Sequence, residues 1–161
     1  MMAVIAVLAI IGTPQFLRAQ KRARDATRKN DLAQIKRALE LAKQDGTLKG
    51  LYYPCNTIVD SNRLYCTGAT NPLWPGFGQA WTPYIPIIPR DPRNVTPYVY
   101  KYSLHKDDWS NCDAAPSAVP NCPRFRLYTQ LEDANDPTDS PSQTKCGVAS
   151  PVNDRFMICS D

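Results

Sequence analysis

The chain has 161 residues, 43% of them apolar, which fits one ordinary domain plus an appendage and excludes a chain that stays unfolded. Fifteen prolines stand against seven glycines, and Pro14 is the only proline before residue 50, so a proline-poor helix followed by a loop-rich head is expected. The net charge of +4 is unevenly placed: residues 15–50 carry ten Lys/Arg against four Asp/Glu, whereas from residue 51 onward nine face eleven.

From Met1 to Gly12 the sequence is almost wholly apolar, with Met1, Met2, Val4, Ile5, Val7, Leu8, Ile10 and Ile11 as its large side chains. As a helix this run covers only about 18 Å, against about 30 Å of bilayer hydrocarbon. It cannot span alone, so it either belongs to a longer apolar segment or is buried among identical helices. The charged start and the small-residue cleavage pattern of a secretory signal are both missing. Gly12, Thr13 and Pro14 should then interrupt the helix, because proline removes a backbone donor and disfavours helical geometry at the residue before it.

From Gln15 to Lys43 helix formers dominate without Gly or Pro, predicting a second helical stretch of about 44 Å. Leu32, Ile35, Leu39 and Ala42 recur at three- and four-residue spacings, the pattern of a stripe laid on a core. Between Arg18 and Lys29 the comparable stripe is only Ala19, Ala23 and Ala26. The expected division is therefore residues 1–31 as a projecting half, apolar then basic, and 32–161 as a globular head. The cluster Arg18, Lys21, Arg22, Arg24, Arg28 and Lys29 could contact DNA or acidic lipid. A solvated or intersubunit face is favoured, with acidic partners such as Asp25, Asp31 or Glu40 on neighbouring copies.

Residues 46–97 show little periodicity and read as a long ordered loop with aromatic anchors. Three short strands are expected after it, at Tyr98–Leu104, Phe125–Leu131 and Arg155–Cys159. In the second, Phe125, Leu127, Thr129 and Leu131 share one face. An α+β head follows, a three-stranded antiparallel sheet with the helix stripe across one side. The connections Lys106–Pro123 and Glu132–Val152 read as loops.

All six cysteines lie in the head, an even count in a proline-rich region, so disulfides and an oxidising compartment outside the cytoplasm are expected. Zinc is disfavoured because no C-x-x-C occurs and His105 is the only histidine. Sequential pairing, Cys55–Cys66, Cys112–Cys122 and Cys146–Cys159, would staple one short loop each. Asp133, Asn135, Asp136 and Asp139 share a loop and carry oxygen donors of the kind calcium takes. They lack EF-hand spacing and its central glycine, so a polar turn is favoured. His105 has no evident nucleophile beside it and reads as a surface-loop residue. Asn94-Val95-Thr96 matches a glycosylation sequon. No cofactor motif and no catalytic set stands out, so a non-enzymatic role is expected.

The stretch VIAVLAIIGTPQFLRAQKRARDATRKNDLAQIKRALEL, with YYP shortly after it and PIIPRDP before the first strand, resembles the type IV pilins and the related type II secretion pseudopilins. The likeness covers about the first quarter of the chain closely and the head only in plan. It implies a structural subunit that polymerises into an extracellular pilus-like filament, with Met1, Met2, Val4, Ile5, Val7, Leu8, Ile10, Ile11, Phe16 and Leu17 in the filament core. Gly12 to Gln15 would lose helicity on assembly. The implied partners are identical subunits in a helical homopolymer, the inner membrane before assembly, a prepilin peptidase and the assembly machinery, with DNA or surfaces bound by the finished filament. Some members hold calcium in C-terminal loops. A secretion pseudopilin is the neighbouring reading, and a membrane-tethered DNA-binding competence module is one of another class. The family's leader glycine, initial aromatic residue and early glutamate are missing at Met1, which implies that a short stretch precedes it in the native chain.

Overall fold

The computed structural model describes residues 2–45, 75–110 and 123–160, with side chains from residue 15 onward in the first of these. Helix α1 runs from Met2 to Asp45 and is followed by strand β1 (Lys101–His105), strand β2 (Arg124–Gln130), helix α2 (Asp139–Lys145) and strand β3 (Arg155–Cys159). The three strands form one antiparallel sheet in the order β1-β2-β3. The fold is α+β, a long N-terminal helix packed on a small sheet.

The 44 residues of α1 amount to about 66 Å of helix. The interruption expected at Gly12, Thr13 and Pro14 does not end it, since α1 is continuous through all three. A proline costs the helix one hydrogen bond at its own position, and neighbouring turns keep theirs. Among the described residues no helix is long and apolar enough to cross a membrane.

Register explains how the sheet gets two chemically different faces. Leu104 pairs with Phe125 and Leu127 with Ile158. Because successive side chains alternate across a strand, Phe125, Leu127 and Thr129 all point toward α1, and each is essentially fully buried. Leu32, Ile35, Leu39 and Ala42 meet them from the helix, every one at 0% exposure. Trp81, Ile85, Ile88 and Tyr100 close the core from the preceding segment. Of the long loop expected over 46–97, residues 75–97 contain turns and two isolated bridges, Trp81–Ile85 and Val95–Tyr98. Residues 46–74 lie outside the described ones.

The opposite face carries a smaller cluster of Cys146, Met157 and Cys159, with Trp109, Tyr128 and Val148 against it. Arg124 and Arg126 stack on Trp109, each at 4.8 Å from the ring centroid. The segment expected as a plain loop from Glu132 to Val152 contains α2. Its composition, DSPSQTK, is that of a turn, but Pro141 falls in the first turn, where a missing N–H is harmless. Asp139 also favours that positive end. Inside, Gln143 is fully buried and donates to the carbonyls of Val152 and Arg155 at 2.7 and 2.8 Å, tying α2 to β3. Gly147 ends the helix at φ +73°, where a side chain would collide with Trp109.

Cys146 and Cys159 are bonded, closing a loop of 13 residues' separation between α2 and β3. The other two expected pairs, Cys55–Cys66 and Cys112–Cys122, lie outside the described residues. Replacing Cys146 and Cys159 together by serine is expected to lower stability by about 2–3 kcal/mol, through the freedom restored to the unfolded chain. A fall in the urea midpoint of the double variant relative to the parent, both measured without reductant, checks this.

His105 is not a surface-loop residue. It ends β1 and is 3% exposed. Its Nδ1 lies 3.1 Å from the Trp109 carbonyl oxygen, which can only accept, so Nδ1 carries the proton and Nε2 accepts from the Ser103 hydroxyl at 2.9 Å. Burial and then the charge of Arg126 lower its pKa, keeping it neutral. Asn94 and Thr96 of the sequon are exposed, and Asn94 has φ +48°.

Candidate functional site

Following the stripe toward the N-terminus shows where helix and head are joined. Ala42, Leu39, Ile35 and Leu32 are succeeded at the same three- and four-residue steps by Arg28, Asp25, Lys21 and Arg18. The periodicity therefore continues while its chemistry changes from apolar to ionic. Arg28 and Asp25 are as deeply buried as the leucines, at 0% and 2% exposure. The expected stripe of Ala19, Ala23 and Ala26 instead faces solvent.

Arg28 is held on three sides. Nε and Nη2 donate to the two oxygens of Asp91 at 2.7 and 3.1 Å, a forked pair that fixes the guanidinium plane. Nη1 donates to Asp25 at 2.6 Å and lies 2.9 Å from Glu132. The Tyr98 ring covers the guanidinium at 5.0 Å. Burial by itself would lower the pKa of Arg28, but the hydrogen bonds to Asp91, Asp25 and Glu132 outweigh it and raise the value.

The carboxylates have further partners of their own. Asp25 accepts the backbone N–H groups of Glu132 and Asp133, at 3.0 and 2.9 Å for the shorter contact of each, so the helix grips the chain just beyond β2. Asp91 accepts the N–H of Arg93 at 2.8 Å. Glu132 takes a forked pair from Arg24 at 2.7 and 2.6 Å. Those Arg24 bonds, against the opposing effect of burial, hold its carboxyl down at about 2. Nearer the surface, Arg22 pairs with Asp133 at 3.3 Å and Lys29 with Asp136 at 2.5 Å. Beside the cluster, Tyr100 donates to Asp31 at 2.7 Å.

This geometry bears on several sequence expectations. Among the described residues, contacts from α1 to the rest of the chain continue beyond the apolar stripe as ionic pairs, reaching Arg22. Within the chain, Arg24, Arg28 and Lys29 pair with head carboxylates at Glu132, Asp91 and Asp136, whereas the sequence reading looked to Asp25, Asp31 or Glu40 of neighbouring copies. Arg24 and Arg28 are thereby committed and are not presented as a DNA-contacting row. The four residues considered for calcium do not converge: Asp133 and Asp136 serve α1, Asp139 is bonded to Gln143, and Asn135 is exposed. Among the described residues no three His, Cys, Asp or Glu side chains come together as metal ligands would.

Above the cluster α1 leaves the head. Phe16 and Leu17, two of the residues assigned to a filament core, are 63% and 59% exposed. The side chains of Met1, Met2, Val4, Ile5, Val7, Leu8, Ile10 and Ile11 lie outside the described ones. At the point of departure Arg18, Lys21 and Arg22 face residues Glu132, Asp133, Ala134 and Asn135 across an open cleft of about 470 Å³. Comparison with family models, with curated proteins and with solved structures finds no match to the chain.

Sequence reasoning missed Asp91 and Glu132 as the anchors of this joint. Asp25 and Arg28 carried a faint signal, a carboxylate and a guanidinium three residues apart on the line of the apolar stripe. Nothing in the local sequence ties either of them to positions 91 or 132.

Proposed function

We propose that the chain is a pilin-like structural subunit that polymerises into an extracellular filament by bundling the N-terminal part of its helix. The observation that supports this most directly is that, among the described residues, the ion pairs fastening α1 to its head begin at Arg22, while the helix starts in an apolar run and exposes Phe16 and Leu17. A helix so built leaves apolar area to be covered by something outside its own head. Identical helices can cover it, at about 25 cal/mol for each Å² removed from water. The ionic joint supplies a rigid elbow that keeps every head at the same angle, as a helical array of identical units requires. Such a role needs no catalytic group.

The test is to shear filaments from the cell surface, image them and identify this chain within them. Leu8→Lys and Ile11→Lys are each expected to abolish filaments while the disulfide-bonded head stays folded, because a charge in an apolar bundle or bilayer centre is costly. Filaments lacking the chain, or variants that assemble like the parent, would overturn the reading. Long surface filaments, rather than short periplasmic ones, separate a pilus subunit from a secretion pseudopilin.

A further inference from the structure

The basic residues of α1 divide into two groups. Arg22, Arg24, Arg28 and Lys29 each pair with a head carboxylate. Arg18 and Lys21 are exposed, and no carboxylate among the described residues pairs with either of them. Both lie on the helix line that continues from Arg28 and Asp25, and both line the cleft against residues 132–135. The two carboxylates in that cleft, Glu132 and Asp133, are already bridged by arginines, so its positive character comes from Arg18 and Lys21. Immediately before them stand the exposed Phe16 and Leu17, and before those the apolar run.

We propose that Arg18 and Lys21 form a seat for anionic phospholipid headgroups, which holds the subunit at a negatively charged membrane surface. The inference rests on the membrane-held stage of the proposed function and adds the lipid class that stage selects. Sequence order is what favours a membrane over other anions: apolar run, exposed phenylalanine and leucine, then two exposed cations within the next turn and a half. A bilayer presents the same order from hydrocarbon to phosphate. The head, fixed to the helix by the buried arginine joint, then lies outside the headgroup layer with its cleft open toward it. The volume of the cleft is sufficient for a headgroup of ordinary size.

The full-length protein is incubated with vesicles of phosphatidylcholine alone and of phosphatidylcholine containing about one-third phosphatidylglycerol, and binding is read by co-sedimentation. The parent is expected to prefer the anionic vesicles, and Arg18→Gln with Lys21→Gln is expected to reduce that preference by about twenty- to thirty-fold, at about 1 kcal/mol per cation. Lys101→Gln, an exposed cation on β1, should leave it unchanged. Equal preference in parent and double variant would overturn the proposal. So would displacement of the vesicles by millimolar inorganic phosphate, since the cleft would then be reading phosphate alone. A double variant that keeps its lipid preference but no longer forms filaments would assign the two cations to subunit contacts and likewise overturn it. The filament reading fails separately, if the parent chain is missing from sheared filaments.

Discussion

Arg28→Ala is expected to destabilise the protein by about 3–5 kcal/mol, the range found when one partner of a buried ion pair is removed. The size follows from what is left behind. Asp91 loses its forked partner, Asp25 and Glu132 each lose a guanidinium contact, and the three side chains are no more than 3% exposed. Stability of that order is a large fraction of what a single domain possesses. Arg28→Lys keeps the charge but offers no planar fork, so a smaller loss of about 1–2 kcal/mol is expected. Urea unfolding of the two variants checks the pair. Similar midpoints for alanine, lysine and the parent would show that the joint contributes nothing to stability, and with it would go the rigid elbow.

Acid is expected to undo the same joint. Glu132 is held at about 2 against its ordinary 4.5, and its side chain is only 3% exposed. A carboxylate whose folded pKa lies below the unfolded one adds stability that is fully present above pH 4.5 and is lost as the pH falls toward 2. The difference corresponds to about 3 kcal/mol. Asp136 contributes in the same direction, because its bonds from Lys29 and Thr138 overcome the opposing effect of burial and lower its pKa. Asp31 acts the other way, since burial raises it despite the Tyr100 hydrogen bond. Urea midpoints measured at intervals between pH 6 and 2 should fall steeply in the parent and much less steeply in Glu132→Gln. Equal slopes would refute the assignment.

The parts of this fold that were legible in the sequence are those written in periodicity. Leu32, Ile35, Leu39 and Ala42 announce a buried face by spacing alone, and Phe125, Leu127 and Thr129 announce a strand by alternation. Cys146 and Cys159 are close enough along the chain for a pairing to be read from proximity. Helix α2 was hidden because Asp, Ser, Pro and Thr are turn formers by composition, and its buried anchor, Gln143, is polar. The arginine joint was hidden for a different reason. A search for apolar residues at helical spacing passes over Arg28 and Asp25, since charged side chains are ordinarily solvated. Their burial depends on Asp91 and Glu132, and pairing across such separations leaves no local trace.

Asp25 meets Glu132 across 107 positions of chain. A contact between residues so far apart closes a large loop, whose entropy must be overcome before the contact returns anything. At ordinary synthesis rates, roughly 5–20 s separate the appearance of the two residues. Arg28 can meet Asp25 at once and Asp91 some 63 positions later, but Asp25 and Arg24 wait the whole interval for the chain at Glu132. The order of translation thus presents the helix before its own dock exists, so whatever the nascent segment encounters first has no competition from the finished fold.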